Sequence, residues 1–455
     1  MPKITPLPYQ LECMDEIDDH GGRALLALEM GTGKTLTALW WAARTIPADK
    51  TIVVVCPASL KYMWQHEARH AGMTGYILEG RRPELPSRVT HPRLVIINYD
   101  ILADWVDTLR QLRPALVVLD ECPAVKSSRA KRTKAVRKLC RGRKRLLALS
   151  GTPLLNRPAE LWTTLNLLRP DVKEFKSMRV FGHKFCRPRF TPWGVTYTGA
   201  SRLGELNLLL KRTCMIRRLK ADVLKDLPAK IRRVVPMDLS DRAEYEFARD
   251  NFLQWLGRIS PAKMKSAQRA VALARMSYLT QLCARLSLRA KVRWINRYLA
   301  EQDGKLLIAT VHHKMTDALV RRCNAPSVVI DGRTPVNDRR YAVQRFQRDK
   351  GTRLFIGNIQ AAGVGLTLTA ASNVVFTELP WRPADCTQFE DRAHRIGQDE
   401  KTWIWYLVAG DTVEEKLCEV LQTKQGVVSA TLDGGGRADD LDVFNQLVEY
   451  LREGK

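Results

Sequence analysis

The chain is short of several things, and each absence closes a route. No apolar run approaches the about 20 residues that a membrane-spanning helix requires. The opening residues, Met1-Pro2-Lys3-Ile4-Thr5-Pro6, lack the apolar core of a secretory signal, so secretion is not expected. The ten cysteines form no CxxC pair, and several, such as Cys56, lie in apolar runs. They read as small buried hydrophobes in a reducing compartment, not as a disulfide frame or zinc ribbon. No repeat of about 20–50 residues is visible, and no zinc finger or appended DNA-reading module. Acidic residues are also scarce: 48 against 74 lysines and arginines, a net charge of +26 over 455 residues. So large a basic excess points to an anionic polymer as partner, nucleic acid ahead of a membrane surface.

What is present is a repeated alternation. Short β-branched runs separated by helical stretches predict parallel sheets flanked by helices. The runs are Ala24–Leu28, Thr51–Cys56, Leu94–Asn98, Leu116–Asp120 and Leu146–Leu149, then Leu306–Thr310, Ser327–Ile330, Leu354–Gly357, Asn373–Thr377 and Trp403–Val408. Two parallel-sheet lobes follow. The expected division is 1–160 for a first lobe, 161–293 for helical protrusions and a linker, 294–430 for a second lobe, and 431–455 for a hinge at Gly434-Gly435-Gly436 with a short helix, Leu441–Arg452. The middle includes a basic amphipathic stretch, Pro261–Tyr298.

Chemistry enters after the first apolar run. Glu29-Met30-Gly31-Thr32-Gly33-Lys34-Thr35 precedes a helical stretch, and its glycines let backbone N–H groups approach phosphate oxygens. Lys34 is placed to meet the β- and γ-phosphates of ATP, and the Thr35 hydroxyl to ligate Mg²⁺. Leu28 stands where the strict pattern has its first glycine. The buried run Leu116-Val117-Val118-Leu119 ends in Asp120-Glu121. Asp120 would hold the Mg²⁺ water shell and Glu121 would activate the attacking water. Far along the chain, Gln388 to Gln398 carries Arg392 and Arg395 one helical turn apart, with no phosphate loop of its own. Such arginines would stabilise charge on a transferring phosphoryl group.

These residues resemble the Swi/Snf family of DNA translocases, within the superfamily-two helicase-type ATPases, over about residues 5 to 425. The carrying motifs are Tyr9-Gln10; Cys56-Pro57-Ala58-Ser59-Leu60 with Trp64 and Glu67; Ile97-Asn98-Tyr99-Asp100; Leu149-Ser150-Gly151-Thr152-Pro153-Leu154-Leu155-Asn156; Met215-Ile216-Arg217-Arg218-Leu219-Lys220-Ala221-Asp222-Val223; Gln360 to Leu368; and Arg392 to Gln398. Departures are Leu28 for an acidic residue, Pro123 for a histidine and Leu155 for a glutamine. Ala309 to Lys314 and Ile330 to Pro335 are similar to the annealing-helicase subgroup, which remodels stalled forks.

The resemblance implies an α/β fold of two RecA-like parallel-sheet lobes with helical protrusions and a linker. It implies Gln10 at the adenine, Gly363 and Gly365 in a glycine-rich nucleotide motif, and Ser150, Gly151, Thr152 and Gln388 in coupling. Ser59, Tyr99, Thr367 and Trp381 would lie along or beside the tracked DNA strand. From the residues themselves, the basic run Lys126–Arg145, with Lys126, Arg129 and Lys131, suits phosphate contact, as does Arg285–Arg297. His66-Glu67-Ala68-Arg69-His70 matches a zinc-protease pattern but lies inside a stretch the family resemblance already accounts for, so no zinc site is expected.

The expected activity is DNA-dependent ATP hydrolysis driving movement along double-stranded or forked DNA. A strand-separating helicase on DNA or RNA and an ATP-switched nucleic-acid clamp are the alternatives. The chain is expected to act as a monomer without a membrane. A bacterial or phage setting in the cytoplasm is expected, or the nucleus if the source is eukaryotic, and the sequence identifies no recruiting protein.

Overall fold

The computed structural model describes residues 5–84, 92–154, 157–192, 194–259, 271–362 and 365–434. Gly363 of the glycine-rich motif, Leu155 and Asn156, Gly435 and Gly436, the start of the Pro261–Tyr298 stretch and the expected helix Leu441–Arg452 lie outside them.

By internal contacts the chain forms two units. One holds the residues up to Asp226 and takes the chain back from Gly426; the other is Leu227–Gln425. In the first unit the strands are β1 (Arg23–Leu26), β2 (Ile52–Cys56), β3 (Gly75–Ile77), β4 (Leu94–Asn98), β5 (Leu116–Asp120), β6 (Arg145–Leu149), an outlying pair β7 (Arg189–Thr191) and β8 (Gly194–Thr196), and β9 (Met215–Ile216). Apart from the outlying pair they make one sheet in the order β3-β4-β2-β5-β6-β1-β9, parallel throughout. Strands β2, β4 and β5 are buried at every position, as sheets covered on both faces require. Val53, Val55, Val95, Ile97, Val117 and Leu119 all enter one core, on the face that alternate residues of parallel strands share.

The second unit repeats the plan with β10 (Lys230–Met237), β11 (Leu306–Thr310), β12 (Ser327–Ile330), β13 (Leu354–Asn358), β14 (Asn373–Phe376) and β15 (Thr402–Ala409). Their order is β10-β15-β14-β11-β13-β12, again parallel. Leu307, Ala309, Phe355, Val374 and Phe376 pack into one core, while Leu306, Ile308, Leu354, Ile356 and Val375 pack into another on the opposite face.

The ten apolar runs read from sequence are all strands. The stretch expected as protrusions and linker differs in part: it also supplies β9 to the first sheet and β10 to the second, paired with β15 from Lys230↔Thr402 to Met237↔Ala409. Strand β10 reads Lys-Ile-Arg-Arg-Val-Val-Pro-Met and lies at the sheet edge, where charge and proline are tolerated. Among the described residues no helix is long and apolar enough to cross a membrane.

Candidate active site

Strand β1 runs into a loop that two glycines make turnable. Gly31 and Gly33 take φ of +83° and +78°, the left-handed region that side-chain-bearing residues avoid. Gly33 caps the helix Lys34–Thr45, so backbone N–H groups at that helix start face the loop. A Cβ on Gly33 would sit 2.5 Å from Gln10 Nε2. Gln10 itself is buried, and its Nε2 and the Tyr9 hydroxyl donate to Thr32 O at 3.3 and 2.7 Å. The Thr32 hydroxyl donates to Glu29 O at 2.7 Å. Lys34 Nζ donates back to Leu28 O at 3.0 Å and Glu29 O at 3.3 Å, lying across the loop. Thr35 is half-buried on the first turn of the same helix.

The segment from Cys214 to Val223 braces this loop from the sheet side. Leu25, Ala27 and Glu29 donate their N–H groups to the carbonyls of Cys214, Ile216 and Arg218 at 2.7, 2.8 and 2.9 Å. Glu29 answers with its side chain, Oε2 accepting from Lys220 N at 2.8 Å. Arg217 donates to Ala27 O and pairs with Asp433, both at 2.7 Å. The sequence marked 215–223 by resemblance alone; its hold on the loop is visible only in three dimensions.

Two strands away, β5 delivers the carboxylates. Asp120 is 5% exposed, with Trp64 Nε1 donating to Oδ2 at 2.7 Å and Glu121 N to Oδ1 at 2.9 Å. Burial pushes its carboxyl up to about 7; the Glu121 charge adds to this, while the Trp64 bond and Lys34 oppose it. Glu121 takes φ +48° and ψ +57°, a left-handed conformation rare for such a residue, and strain of this kind gathers at functional sites. Its Oε2 accepts from the Ser150 hydroxyl at 3.1 Å, and Ser150 Oγ accepts from Thr152 N at 3.2 Å. Gly151 closes the circle. A Cβ there would lie 2.3 Å from Met30 Cγ and 3.2 Å from Lys34 Nζ, so Ser150-Gly151-Thr152 runs between the acidic strand end and the loop. Lys34, Asp120, Glu121 and Ser150 thus occupy one neighbourhood, from strands β1, β5 and β6.

Two family models match the chain. The SNF2-related domain covers residues 9–292, and the helicase conserved C-terminal domain covers 290–397. The chain belongs to the SNF2 family. A Caenorhabditis elegans protein named SWI/SNF-related matrix-associated actin-dependent regulator of chromatin subfamily A-like protein 1 homolog is 33% identical over 474 residues, covering 98% of this chain and 66% of the relative. Mouse DNA annealing helicase and endonuclease ZRANB3 is 32% identical over 457 residues, covering 94% of this chain and 40% of the relative. The chain therefore spans under two thirds of these relatives. Among solved structures, the Sulfolobus solfataricus SWI2/SNF2 ATPase core in complex with dsDNA aligns at a TM-score of 0.44 and 23% identity, covering 99% of this chain and 97% of its own. The two curated relatives are animal proteins, so the expected bacterial or phage setting gains no support from them.

In the second unit the SNF2 arginine motif has its own scaffold. Arg392 is buried and donates through Nε to Gln388 O at 3.0 Å and through Nη1 to Leu366 O at 3.2 Å. Arg395 donates to the same Leu366 carbonyl at 3.1 Å, and Leu368 N to Arg392 O at 2.9 Å. Both arginines therefore meet the glycine-rich motif just after Gly365, which turns at φ +75°. Beneath them lies an ion cluster that sequence reasoning missed. Lys230 Nζ pairs with Glu390 and Asp391 at 3.0 Å each, and Arg232 grips Glu390 through two bonds of 2.9 and 2.6 Å. The Tyr406 hydroxyl adds a bond to Glu390 at 2.6 Å. Burial alone would push the Glu390 carboxyl up, but Lys230 and Arg232 hold it below the usual range.

The sequence-derived DNA candidates divide. Ser59, Thr367, Arg129 and Lys131 are exposed, Trp381 is partly so, and Lys126 is half-buried and paired with Glu160 at 3.2 Å. Tyr99 is placed differently from the expectation: it is 4% exposed and its hydroxyl donates to Asp120 O at 2.8 Å, so it supports the acidic strand end from within. In the run Arg285–Arg297, Arg285, Arg289, Arg293 and Arg297 are exposed, and only the lysine is withdrawn from the surface. Arg285 pairs with Glu244 at 2.5 Å, Arg297 with Glu301 at 2.7 Å, and Lys291 is fully buried against Glu414 and Thr377 O.

Proposed function

We propose that this SNF2-family chain hydrolyses ATP when bound to duplex or forked DNA and uses the hydrolysis to move along it. The observation that carries the reading is the Glu121–Ser150–Thr152 hydrogen-bond chain beside the glycine-turned loop and Lys34. It joins a strained carboxylate to the loop through a segment able to report on the nucleotide. In this reading the loop's N–H groups and Lys34 bind the phosphates, and Gln10, already packed on the loop, borders the adenine. Glu121 orients the attacking water and accepts its proton. Asp120 and Thr35 are hard oxygen donors of the kind Mg²⁺ prefers, and a buried carboxylate raised by desolvation gains from a nearby cation. Mg²⁺, when bound, would supply charge neutralisation at the phosphates. Arg392 and Arg395 of the second unit stabilise the charge that develops on the γ-phosphoryl group.

Gly363 and Gly365 would shape the nucleotide-responsive turn, with Gln388 holding Arg392 through its carbonyl. The exposed Arg129, Lys131, Ser59, Thr367 and Trp381 would bind the sugar–phosphate backbone and its bases, giving affinity that falls with salt and carries little sequence information. The discriminating measurement is ATP hydrolysis with no polymer, single-stranded DNA, duplex DNA, forked DNA and RNA. Strong stimulation by duplex or fork supports the translocase. Stimulation by single strands or RNA alone replaces it with a strand-separating helicase. Failure to displace the third strand of a DNA triplex, with ATP hydrolysis intact, replaces it with a clamp.

A further inference from the structure

The outlying pair β7 and β8 is the one antiparallel pair among the described strands, and it belongs to neither parallel sheet. Every described residue of both strands is exposed. Phe190 on β7 is 76% exposed, the most exposed of the large hydrophobic side chains described. Two-stranded pairs are marginal alone, so this one depends on its root. The root is firm. The Tyr197 ring lies against Gly182, where a Cβ would come within 2.4 Å of it. Gly199 N donates to Cys186 O at 3.1 Å and Ser201 N to Phe185 O at 3.0 Å, and Phe185 and Cys186 are themselves in the core. At the outer end the Thr191 hydroxyl donates to Gly194 O at 2.7 Å.

The chemistry of the segment has one sign. From Arg187 to Gly199 there is no aspartate or glutamate, while Arg187 and Arg189 are exposed beside Phe190. Cations flanking an uncovered aromatic, held on a braced hairpin, suit an anionic polymer that can offer a flat apolar face. Nucleic acid does so wherever a base has lost a stacking neighbour, since aromatic stacking on bases tolerates any sequence. Intact duplex hides its base faces; a branch point does not. We infer that the strand pair Arg189–Thr191 and Gly194–Thr196 binds the branch point of forked DNA, with Phe190 stacking on the unpaired base and Arg187 and Arg189 on the adjoining phosphates. The inference rests on the DNA-translocase reading and adds to it a preference for branched over plain duplex DNA. Because the root fixes the hairpin beforehand, little conformational freedom is lost on binding.

The test uses the full chain and a fork carrying 2-aminopurine at the branch nucleotide, with a matched plain duplex. Wild type should perturb the 2-aminopurine fluorescence and bind the fork more tightly than the duplex. Phe190→Ala should abolish the fluorescence change and lose about tenfold in fork affinity, the scale of one base–aromatic stack. Duplex affinity and duplex-stimulated ATP hydrolysis should stay at wild-type levels, and Phe190→Trp should restore the fork signal. Equal binding of fork and duplex by wild type, or a Phe190→Ala variant indistinguishable from it on forks, overturns the inference. So does a Phe190 dependence seen only on vesicles containing anionic phospholipid. Absence of any DNA stimulation of wild-type hydrolysis would instead count against the translocase itself, while the fluorescence readout still decides branch-point binding.

Discussion

The two chemically distinctive regions are held by opposite means. In the first unit the phosphate loop and Glu121 are shaped by backbone: left-handed glycines, a left-handed Glu121, and main-chain bonds from Leu25, Ala27 and Glu29 to the Cys214–Arg218 carbonyls. In the second unit the arginine segment is held by side-chain charge, with Lys230 and Arg232 gripping Glu390 and Asp391 just before Arg392. A loop that presents N–H groups needs a fixed backbone, whereas a guanidinium on the turns that follow the helix Pro383–Glu390 needs a braced segment and a compensating field. The first region should therefore be sensitive to conformation, and the second to charge.

That contrast is open to attack, beginning with the largest effect. Arg395→Ala should lower DNA-stimulated hydrolysis by on the order of 10³-fold or more while nucleotide binding stays nearly intact; a wild-type rate in stimulated turnover would remove the arginine from the reaction. Glu121→Gln should cut turnover by about 10²–10⁴-fold with ATP still bound, measured by pairing steady-state hydrolysis with fluorescent-nucleotide titration. Near-normal turnover would leave the Ser150–Glu121 bond without its assigned role.

Stability measurements sharpen the electrostatic half. Glu390→Gln removes the shared counter-charge of Lys230 and Arg232 inside the second unit, and breaking a buried pair from one side costs about 3–5 kcal/mol. Urea unfolding should show that loss, and a change under about 1 kcal/mol would mean the cluster is solvated in solution. The smallest effect concerns Asp120, whose carboxyl lies near 7 in the folded chain against 3.8 ordinarily. The folded state then binds its proton more tightly than the unfolded state, so this group's contribution to stability falls as pH rises from about 4 to about 7. In metal-free buffer the melting temperature of Asp120→Asn relative to wild type should move in the variant's favour by about 3 °C or more between pH 5 and pH 8. This comes on top of a pH-independent cost for the second N–H acceptor that asparagine lacks. A gap independent of pH would refute the burial argument.

The legibility of the molecule follows the same divide. The runs Leu94–Asn98, Leu116–Asp120 and Leu306–Thr310 announced themselves because strands buried on both faces are continuously apolar. The loop from Glu29 to Thr35 and the Asp120-Glu121 pair were legible because spacing and residue type are local properties. Strand β10 was not, since an edge strand carries charge and proline and so looks like a linker. Strand β9 was too short to register and is a strand only because β1 lies beside it.

Placement separates what the chain carries in itself from what folding adds. Period and spacing by themselves determined the two parallel sheets, the phosphate loop and the paired acids Asp120-Glu121, and contiguous motifs carried the resemblance to the family. Tertiary structure alone decided that Tyr99 turns inward to Asp120, that Lys291 is buried on Glu414, that Glu390 gathers Lys230 and Arg232, and that Phe190 is left uncovered. In each case the role of a side chain depends on residues distant in sequence. A tyrosine or lysine has the same chemistry wherever it stands in the chain, and only its neighbours in space decide whether that chemistry is spent inside or offered to a ligand.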